Sequence, residues 1–511
     1  MRRTKTLIFA SRFFIVFLSI IAQAIALWIL FFILGRKYQW VQFVSSAVGV
    51  MLFLYIVNKD QPAVYKLPWV IIILFAPLVG IVTYYTFGNV KLSKKQMKKF
   101  RHIYDEHHDE YYSQAEILKR MLNLRVKGLG TVRYIRSATS LPVYSNSKVS
   151  YINNGEMFFE SLCEQISKAE KYVFLEYFIV EKGKMLYGVI KALEEVMQRG
   201  VKVYFMYDDV GSITKVRRRF NKELCSLGID ARRFFKFVPI VSVIHNNRDH
   251  RKIAVIDGKV GFMSGANLAD EYINEKKPLG KWRDNALKIE GQATDTLVRL
   301  FIQLFNMTGG KQLDEIDFIH TDHEQFSDGY ILPFGDSPYP INSEHVAETV
   351  YLDMISRAEK YLYITTPYLI VDTNITDALK TAVKRGVDVR IIIPQNPDKK
   401  IVYLLTKSAC KNLCAAGVKI YAFKDGFIHS KTVLSDGEMA VVGTSNFDFR
   451  SLVHHFECAT LICENSSIND IYSDFLHLFD YECVKYTAKD LKLNAFQRLI
   501  KSIAILFAPL M

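Results

Sequence analysis

The chain has 511 residues, half of them apolar, and a formal net charge of +14. Such a length predicts two or more domains, and the apolar content argues against an ordinary soluble protein and for membrane segments. The excess of basic side chains fits an anionic partner, either a nucleic acid or a lipid surface. The seven cysteines are scattered without zinc-binding spacing, and their odd number fits a reducing compartment.

Three apolar stretches occupy residues 1–89, which we interpret as a transmembrane region. The first, 13–34, and the third, 67–87, are each long enough to span a bilayer as a helix. The second, 41–57, is shorter. Tryptophan and tyrosine near the ends of these stretches are typical of the membrane interface. The sequence therefore predicts an integral, multi-pass membrane protein.

Lysine and arginine set the expected orientation of these spans. The segment 91–101, which opens a charged helical neck predicted at 90–130, is the strongest positive cluster beside any span and predicts that the following chain is cytoplasmic. Three spans would then put the N-terminus outside, whereas Arg2, Arg3 and Lys5 favour an inside position. The conflict disappears if one of the first two stretches is a re-entrant or interfacial helix.

A repeat follows the neck. The run AEKYVFLE at 169–176 recurs as AEKYLYIT at 358–365, and each run ends a helix and begins a strand. In each unit the next helix ends in Arg-Gly-Val before another strand. This alternation predicts two layered α/β units, at 131–320 and 321–486, followed by an amphipathic tail at 487–511. For the tail, packing in a core and lying on the membrane interface are left as equal alternatives.

One short pattern, H-x-K-x4-D, occurs once in each unit. Each copy is followed at the same distance by a turn of small residues that ends in asparagine. A single copy arises easily by chance, but two copies with matching asparagines inside a longer repeat do not. Neither unit alone supplies two motif histidines, so a site that uses both must lie at the junction of the units. The candidate residues are His250, Lys252, Asp257 and Asn267 in the first unit and His429, Lys431, Asp436 and Asn446 in the second.

These residue types together suit phosphodiester chemistry. One histidine attacks phosphorus and becomes phosphohistidine, and the other protonates the leaving alcohol and then deprotonates the incoming one. The lysines and the asparagine amides stabilise negative oxygens in the transition state. For Asp257 and Asp436, orienting a histidine and shaping a turn are left as equal alternatives. No cluster of carboxylates or Cys/His ligands accompanies the motifs in the sequence, so no metal and no cofactor is expected.

The residues around the two motifs resemble the phospholipase D superfamily and, within it, the bacterial cardiolipin synthases. The similarity covers nearly the whole chain, including the third apolar stretch and the last residues. One departure is His455, which stands where asparagine is common in the family, and another is the order of the small residues Ser264 and Gly265. The runs that carry the resemblance are 207–212, 247–252, 256–258, 282–284, 366–368, 443–451 and Glu457.

The resemblance implies two phospholipase D-like α/β repeats related by a pseudo-two-fold axis and preceded by N-terminal transmembrane helices. It also implies transfer of a phosphatidyl group between two phosphatidylglycerol molecules, which gives cardiolipin and glycerol. Asn267 and Asn446 are expected to bind the substrate phosphate, with Asp284 and Glu457 in supporting roles. The expected partners are phosphatidylglycerol and anionic membrane lipid, with no nucleic acid. The expected location is the bacterial cell membrane, with the catalytic part on the cytoplasmic side.

The superfamily usually attacks with the first-motif histidine, which suggests His250 as the nucleophile and His429 as the acid and base. Arg248 and Arg251 flank the first motif, and we expect them to favour phosphate binding and a neutral His250. Glu457 follows the second motif, where a carboxylate close to His429 would favour its protonated form.

A phospholipase D, or a phosphatidyltransferase with another acceptor alcohol, is the main alternative, because the sequence does not distinguish water from an alcohol as the acceptor. A nuclease of the same superfamily would use the positive charge, but the apolar stretches and the absence of an Arg/aromatic stripe for single strands oppose it. A non-enzymatic membrane protein is opposed by the two intact motifs.

Overall fold

The computed structural model describes residues 37–59, 63–85, 114–236, 247–338, 341–342 and 344–505, with the single residues 25, 29, 33 and 508. The chain divides into a smaller and a larger compact unit. The first apolar stretch lies almost entirely outside the described residues, and the basic cluster 91–101 lies wholly outside them. The smaller unit comprises Met1–Leu92, Phe237–Asn246 and Ser502–Met511, and the larger comprises Ser93–Lys236 and Asn247–Lys501.

Three helices of the smaller unit are α1 (Gln39–Val57), α2 (Ala63–Phe75) and α3 (Pro77–Thr83). Among the described residues, the 19-residue α1 is the one helix that is long and apolar enough to cross a membrane. Its length is about 28 Å, close to the thickness of the hydrocarbon layer. The several spans expected from the sequence are thus reduced to one candidate in the described part of the chain.

The third apolar stretch forms two helices rather than one. Ala76, with φ −147° and ψ 78°, separates α2 from α3, because Pro77 lacks an N–H and disfavours helical backbone at the residue before it. The chain folds back at this point, since the rings of Trp69 and Tyr84 lie 5.5 Å apart. A continuous helix would separate these residues by about 22 Å. The expectation of a single spanning helix over 67–87 is therefore corrected to a helical hairpin.

The strands of the larger unit form two sheets and two short pairs. The first sheet contains β1 (Ser147–Ile152), β2 (Tyr172–Tyr177), β3 (Lys202–Asp208), β4 (Asp230–Phe234), β5 (Ile253–Ile256), β6 (Val260–Ser264) and β8 (Ala286–Gly291). The second contains β9 (Tyr330–Asp336), β10 (Tyr361–Thr365), β12 (Asp388–Pro394), β13 (Lys419–Phe423), β15 (Thr432–Ser435), β16 (Met439–Gly443), β18 (Glu457–Cys463) and β19 (Cys483–Tyr486). The short pairs join β7 (Lys281–Arg283) to β14 (Gly426–Ile428) and β11 (Leu369–Ile370) to β17 (Phe447–Asp448).

The two sheets have the same design. The first runs β1-β8-β6-β5-β2-β3-β4, and the second runs β9-β18-β16-β15-β10-β12-β13 with β19 added at its far edge. The strand that follows the motif histidine is β5 in the first sheet and β15 in the second. It pairs antiparallel with β2 or β10, and that strand pairs in parallel with β3 or β12. The predicted α/β fold of two similar repeats is confirmed by this shared strand order.

Helices cover the sheets with apolar faces at the spacing of an amphipathic helix, as in α7 (Lys184–Met197), which buries Met185, Val189, Leu193 and Val196. Short 3-10 or π-helical turns occur at Glu315–Asp317, Arg450–His454 and Leu478–Glu482. The other helices are α4 (Gln114–Asn123), α5 (Leu129–Thr139), α6 (Gly155–Ser167), α8 (Asp209–Ser212), α9 (Phe220–Ser226), α10 (Thr294–Met307), α11 (Val346–Arg357), α12 (Thr373–Lys384), α13 (Lys400–Ala415), α14 (Ser467–His477) and α15 (Ala495–Ala504).

The segment that follows the neck packs differently from the sequence expectation. Met121, Val132 and Ile135, from α4 and α5, are buried in the apolar core of the second repeat. The sequence placed the residues from 131 onward in the first repeat. The apolar side chains of α5 pack against residues of the second repeat, which lie far along the chain. The beginning of the globular part therefore covers the second repeat.

The helix of the tail, α15, keeps its apolar face in solvent. Phe496, Leu499 and Ile503 expose 70%, 60% and 55% of their surface. The interleaved Arg498 and Lys501 make the same helix basic. Of the two alternatives left open for the tail, this exposed face has the character of an interfacial helix.

Candidate active site

The first motif histidine lies where the first repeat pairs with the second. Asp249 and Phe456 form a parallel bridge, and the N–H of His250 donates to the carbonyl of Phe456 at 2.9 Å. In this register the next residue, Glu457, comes beside the imidazole. Its two carboxylate oxygens lie 2.9 and 3.0 Å from Nδ1 of His250. Both side chains are buried.

The second motif histidine is placed in the same way. Strand β14, just before it, pairs in parallel with β7 of the first repeat, and Ile428 lies opposite Arg283. The N–H of His429 donates to the carbonyl of Arg283 at 2.7 Å. The residue after Arg283 is Asp284, and its Oδ2 lies 2.7 Å from Nδ1 of His429.

The two carboxylates occupy equivalent places in the repeats. Asp284 stands two residues before the partner of Ser264 in the sheet, and Glu457 stands two residues before the partner of Gly443. Ser264 and Gly443 each follow their motif histidine at the same distance along the chain. We call His250, Lys252 and Glu457 the first half-site, and His429, Lys431 and Asp284 the second half-site.

Each histidine thus takes its carboxylate from the other repeat. The expectation that Glu457 lies close to His429 is wrong, because the strand register gives Glu457 to His250 and Asp284 to His429. We assign the Nδ1 proton of each ring to its carboxylate, the usual arrangement for a histidine held by an acid. The lone pair of each Nε2 then remains for a substrate.

The two motif lysines are buried next to the histidines. The ammonium of Lys252 donates to the carbonyl of His250 at 2.5 Å. The ammonium of Lys431 donates to the carbonyl of His429 and lies 2.9 Å from its Nδ1. Burial lowers the pKa of Lys252 to about 8 and that of Lys431 to about 7. A bound phosphate group would stabilise the charged form of both.

Burial also favours the neutral form of both histidines. Burial and then the charges of Lys252 and Lys431 lower the pKa of His250 well below its ordinary value. The pKa of His429 falls to about 4, because burial and Lys431 outweigh the opposing effect of Asp284. The expectation that a neighbouring carboxylate would keep His429 protonated is therefore wrong for the free protein.

The two motif asparagines are buried and have protein partners. Asn267 accepts from the N–H of Ile179 at 2.9 Å and donates to the hydroxyl of Tyr272 at 2.6 Å. Asn446 donates to Asp448 at 3.0 Å. Each amide carries two N–H bonds, so these contacts are compatible with a further bond to a substrate oxygen.

The two motif aspartates bind backbone rather than histidine. Asp257 accepts from the N–H groups of Glu170, Lys171 and Tyr172, each at 2.8 Å. Asp436 accepts from the equivalent N–H groups of 359–361, again at 2.8 Å. Both aspartates have φ near +55°, the left-handed conformation of a tight turn. The sequence left open whether these aspartates orient a histidine or shape a turn, and their contacts are those of a turn residue.

The two arginines near the first motif are buried, and the side chain of Arg251 contacts the second repeat. Arg251 is fully buried and donates to the backbone carbonyls of Leu300 and Glu457. Arg248 is also buried, and its Nε lies 3.4 Å from the carboxylate of Asp208. These contacts account for part of each guanidinium, and the expected role of the two arginines in phosphate binding stays a prediction.

The contacts of several side chains around the two half-sites were not indicated by the sequence, although Thr444 lies in the small-residue turn after the second motif. The Thr444 hydroxyl donates to Oε2 of Glu457. The ring of Phe178 lies 4.9 Å from that of His250, and the ring of Tyr272 lies 5.5 Å from that of His429. Tyr272 and His429 come from different repeats, and Phe178 and His250 are far apart in one repeat, so no spacing along the chain could have indicated these two contacts.

One expectation about metals is corrected. His250, His455 and Glu457 each offer a ligand atom, and these atoms all lie within 4.8 Å of one another. The premise that no cluster of histidine and carboxylate ligands accompanies the motifs is therefore wrong, because His455 and Glu457 of the second repeat join His250 of the first.

Comparison with known proteins places this geometry in a family. The chain matches the family described as "Cardiolipin synthase, PLD-like domain" over residues 162–306 and 351–479, and "Phospholipase_D-nuclease N-terminal" over 47–89. It is 39% identical to an uncharacterised protein of Streptococcus mutans over 427 residues, which cover 83% of this chain and 91% of the relative. It is 32% identical to a cardiolipin synthase of Geobacillus kaustophilus over 475 residues, or 91% and 92% of the two chains.

Among solved structures, a phosphatidylserine synthase of Haemophilus influenzae superposes with a TM-score of 0.56 at 15% identity, covering 74% of this chain and 97% of that one. This likeness shows that the two proteins share a fold. The cardiolipin synthase match covers more than half of the 511 residues. The chain therefore belongs to the cardiolipin synthase family, and it is a phosphatidyltransferase.

Proposed function

We propose that the protein transfers the phosphatidyl group of one phosphatidylglycerol to a second, giving cardiolipin and glycerol through a phosphohistidine. The observation that carries the proposal is the crossed arrangement of the two half-sites. It gives two buried imidazoles, each with a lysine of its own repeat and a carboxylate of the other. Two such groups are what a double displacement at phosphorus requires.

In the first step, Nε2 of one histidine forms a bond to phosphorus while the bond from phosphorus to the glycerol oxygen breaks. The second histidine, which takes up a proton from solvent at Nε2 when the anionic phosphate binds, gives that proton to the glycerol oxygen, and glycerol leaves. In the second step, this histidine takes the proton of a hydroxyl on the second phosphatidylglycerol, and the resulting oxygen displaces the attacking imidazole. The phosphorus is attacked twice, and both histidines return to their starting forms.

We assign the attack to His250 and the proton transfers to His429. The charged groups around His250 that act most strongly on it, Lys252 and Lys431, favour the neutral ring that a nucleophile needs. His429 has Asp284 as a direct opposing influence on its pKa. Binding of the anionic phosphate adds a second influence of the same sign, which prepares His429 to carry a proton.

The remaining motif residues fall into two groups in this proposal. Lys252 and Lys431 neutralise the oxygens of the transition state, and Asn267 and Asn446 donate to the same oxygens. Asp257 and Asp436 act as positioning residues, because each ties the start of a central strand to the end of its motif strand. Asp284 and Glu457 hold the two imidazoles in one tautomer.

The substrates are lipids, and we propose that residues 1–89 and the tail 487–511 bring the site to the membrane. Helix α1 is the candidate span. The exposed apolar face of α15 is proposed to lie in the interface of an anionic bilayer. We retain as proposals the predicted order of a neck, two repeats divided near residue 320 and a tail, with α4 and α5 covering the second repeat. We also retain a multi-pass anchor and a cytoplasmic catalytic part.

The test is incubation of the purified full-length protein with phosphatidylglycerol alone, with a chelator in a parallel sample. We expect cardiolipin and glycerol in equal amounts, and no loss of rate with the chelator. Phosphatidic acid as the main product would show that water is the acceptor and would establish the phospholipase alternative. Loss of activity with the chelator, restored by one metal, would overturn the metal-independent mechanism.

Rapid denaturation in detergent at mildly alkaline pH during turnover tests the assignment of the nucleophile, because the bond between phosphorus and an imidazole nitrogen is labile in acid. Peptide mapping of the quenched protein should place the phosphatidyl group on His250. Modification at His429 with none at His250 would reverse the two roles while leaving the overall reaction intact.

A further inference from the structure

A third imidazole stands beside the first half-site. Nδ1 of His455 lies 3.4 Å from Oε1 of Glu457, the same oxygen that is 2.9 Å from Nδ1 of His250. The rings of the two histidines lie 5.2 Å apart. All three side chains are buried. The three ligand atoms lie within 4.8 Å of one another, against about 3.4 Å between neighbouring ligands of a tetrahedral zinc ion.

His455 lacks a satisfying partner in this arrangement. Its Nδ1 is buried, and its poorly directed approach to Glu457 leaves it without a hydrogen-bond partner among the described residues. A buried imidazole nitrogen with no hydrogen bond costs free energy, and this one points at a carboxylate that a second histidine already holds. Such an unsatisfied nitrogen in a group of three ligands is a position where a metal ion gains a bond.

The second half-site shows what is missing without this histidine. Phe456 faces the first motif in the way that Arg283 faces the second, so the residue before each, His455 or Trp282, occupies the same place. The Trp282 ring lies 5.8 Å from that of His429, but an indole offers no metal ligand. Among the described residues, therefore, the first half-site has a three-ligand group and the second does not.

We propose that His250, His455 and Glu457 form an inhibitory site for a borderline transition-metal ion such as Zn²⁺. This inference rests on the proposed role of His250 as the nucleophile. Two imidazoles and a carboxylate are a ligand set that Zn²⁺ accepts, with a fourth position left for water or a substrate oxygen.

Metal binding blocks attack through the chemistry of the ring. A neutral imidazole has one proton and one available lone pair. When the metal takes the lone pair of Nδ1, the proton moves from Nδ1 to Nε2. The nitrogen that should attack phosphorus then has no lone pair, and Glu457 is at the same time withdrawn from orienting the ring. The inhibition is reversible, because no covalent bond other than this N–H bond is broken or formed.

The experiment uses the full chain in detergent micelles, freed of metal with a chelator that is then removed. Co²⁺ is titrated and its visible absorption recorded, and Zn²⁺ inhibition of cardiolipin formation is measured in the same preparation. The informative variant is His455→Asn, which keeps a polar side chain of similar size. His477→Asn is the matched control, because His477 is largely exposed and lies outside the cluster.

We expect Co²⁺ to bind the wild type and the control with an absorption typical of nitrogen and oxygen ligands. In His455→Asn, binding and Zn²⁺ inhibition should each need about tenfold more metal or still more, with inhibition expressed relative to the metal-free rate of the same variant. Equal binding in all three proteins, or equal inhibition in all three through metal held by the lipid, would overturn the proposal. So would the intense absorption of cobalt bound to thiolate, which would place the ion on a cysteine. Co²⁺ binding that depends on His455 in a protein that forms no cardiolipin would support the metal site while refuting the proposed function.

Discussion

The two half-sites share the same strand pairing, but different residues contact their carboxylates. In both, a motif strand pairs with a segment of the opposite repeat, and this register delivers a carboxylate to Nδ1 of the histidine. The supports differ at equivalent positions. Thr444 donates its hydroxyl to Glu457, whereas its counterpart in the first repeat is Gly265, where a Cβ would lie 2.1 Å from Oδ1 of Asp284.

The difference shows how two copies of one unit can place their motif histidines in unequal environments and so give them different roles. Glu457 is hydrogen-bonded to both His250 and the Thr444 hydroxyl, while His455 stands 3.4 Å away without a hydrogen bond to it. Asp284 accepts from its imidazole and from the backbone N–H of Asn285, in space that a glycine leaves open. The backbone symmetry brings two imidazoles to the junction, and the substitutions around the carboxylates make their environments unequal.

The largest effect is expected from removing either imidazole. His250→Ala and His429→Ala should each lower the rate of cardiolipin formation by roughly 10⁴-fold or more, because groups that act as a unit lose most of the rate together. The measurement is cardiolipin formed per unit time by folded, membrane-bound protein, with the exposed His477→Ala as the control. Near-normal turnover in either variant would contradict the two-histidine mechanism.

A smaller but still large effect is expected from the carboxylates. Asp284→Asn and Glu457→Gln preserve shape while removing the charge that holds the tautomer, so each should lower kcat by roughly 10²- to 10⁴-fold with a smaller change in KM. Steady-state kinetics on mixed micelles measures this. A wild-type kcat in one variant would show that the crossed pairing matters for only one half of the site.

Three further variants test how Thr444 and Gly265 hold the two carboxylates in different ways. Thr444→Val removes a hydrogen bond to a charged group, and we expect a loss of about 10- to 100-fold in kcat. Thr444→Ser should retain most of the activity, because it keeps the hydroxyl. Gly265→Ala should give a comparable loss through displacement of Asp284. If Thr444→Val and Thr444→Ser behave alike, the hydroxyl has no role in holding Glu457.

Much of the fold could be predicted from the sequence. The recurring run before β2 and β10, and the glycine that ends each following helix, indicated two α/β repeats, and the strand orders agree. The single spanning helix expected over 67–87 was wrong, because hydropathy does not show that the chain turns back at Ala76. The motif residues themselves were evident from their duplicated spacing.

The pairing within the site could not be predicted. Glu457 lies closer in sequence to His429 than to His250, yet the parallel register across the two repeats places it against His250. The same register buries Arg251 against backbone carbonyls. Contacts between distant segments decide both outcomes, and a single sequence contains no direct signal for them.

The smallest effect concerns pH and distinguishes the two lysines. Burial lowers the pKa of Lys431 to about 7 and that of Lys252 to about 8 in the free protein. A lysine is charged below its pKa, so raising the pH removes the positive charges that bind the lipid phosphate, first at Lys431 and then at Lys252. We expect the KM for phosphatidylglycerol to rise a few-fold between about pH 7 and pH 8, and more steeply above that, where both groups titrate.

The measurement is KM against pH in micelles of fixed composition, with ionic strength held constant. Lys431→Arg keeps its charge throughout this range and should flatten the first part of the rise, whereas Lys252→Arg should flatten the later part. A KM that stays level through this range in the wild type would mean that neither ammonium needs its charge to bind the lipid.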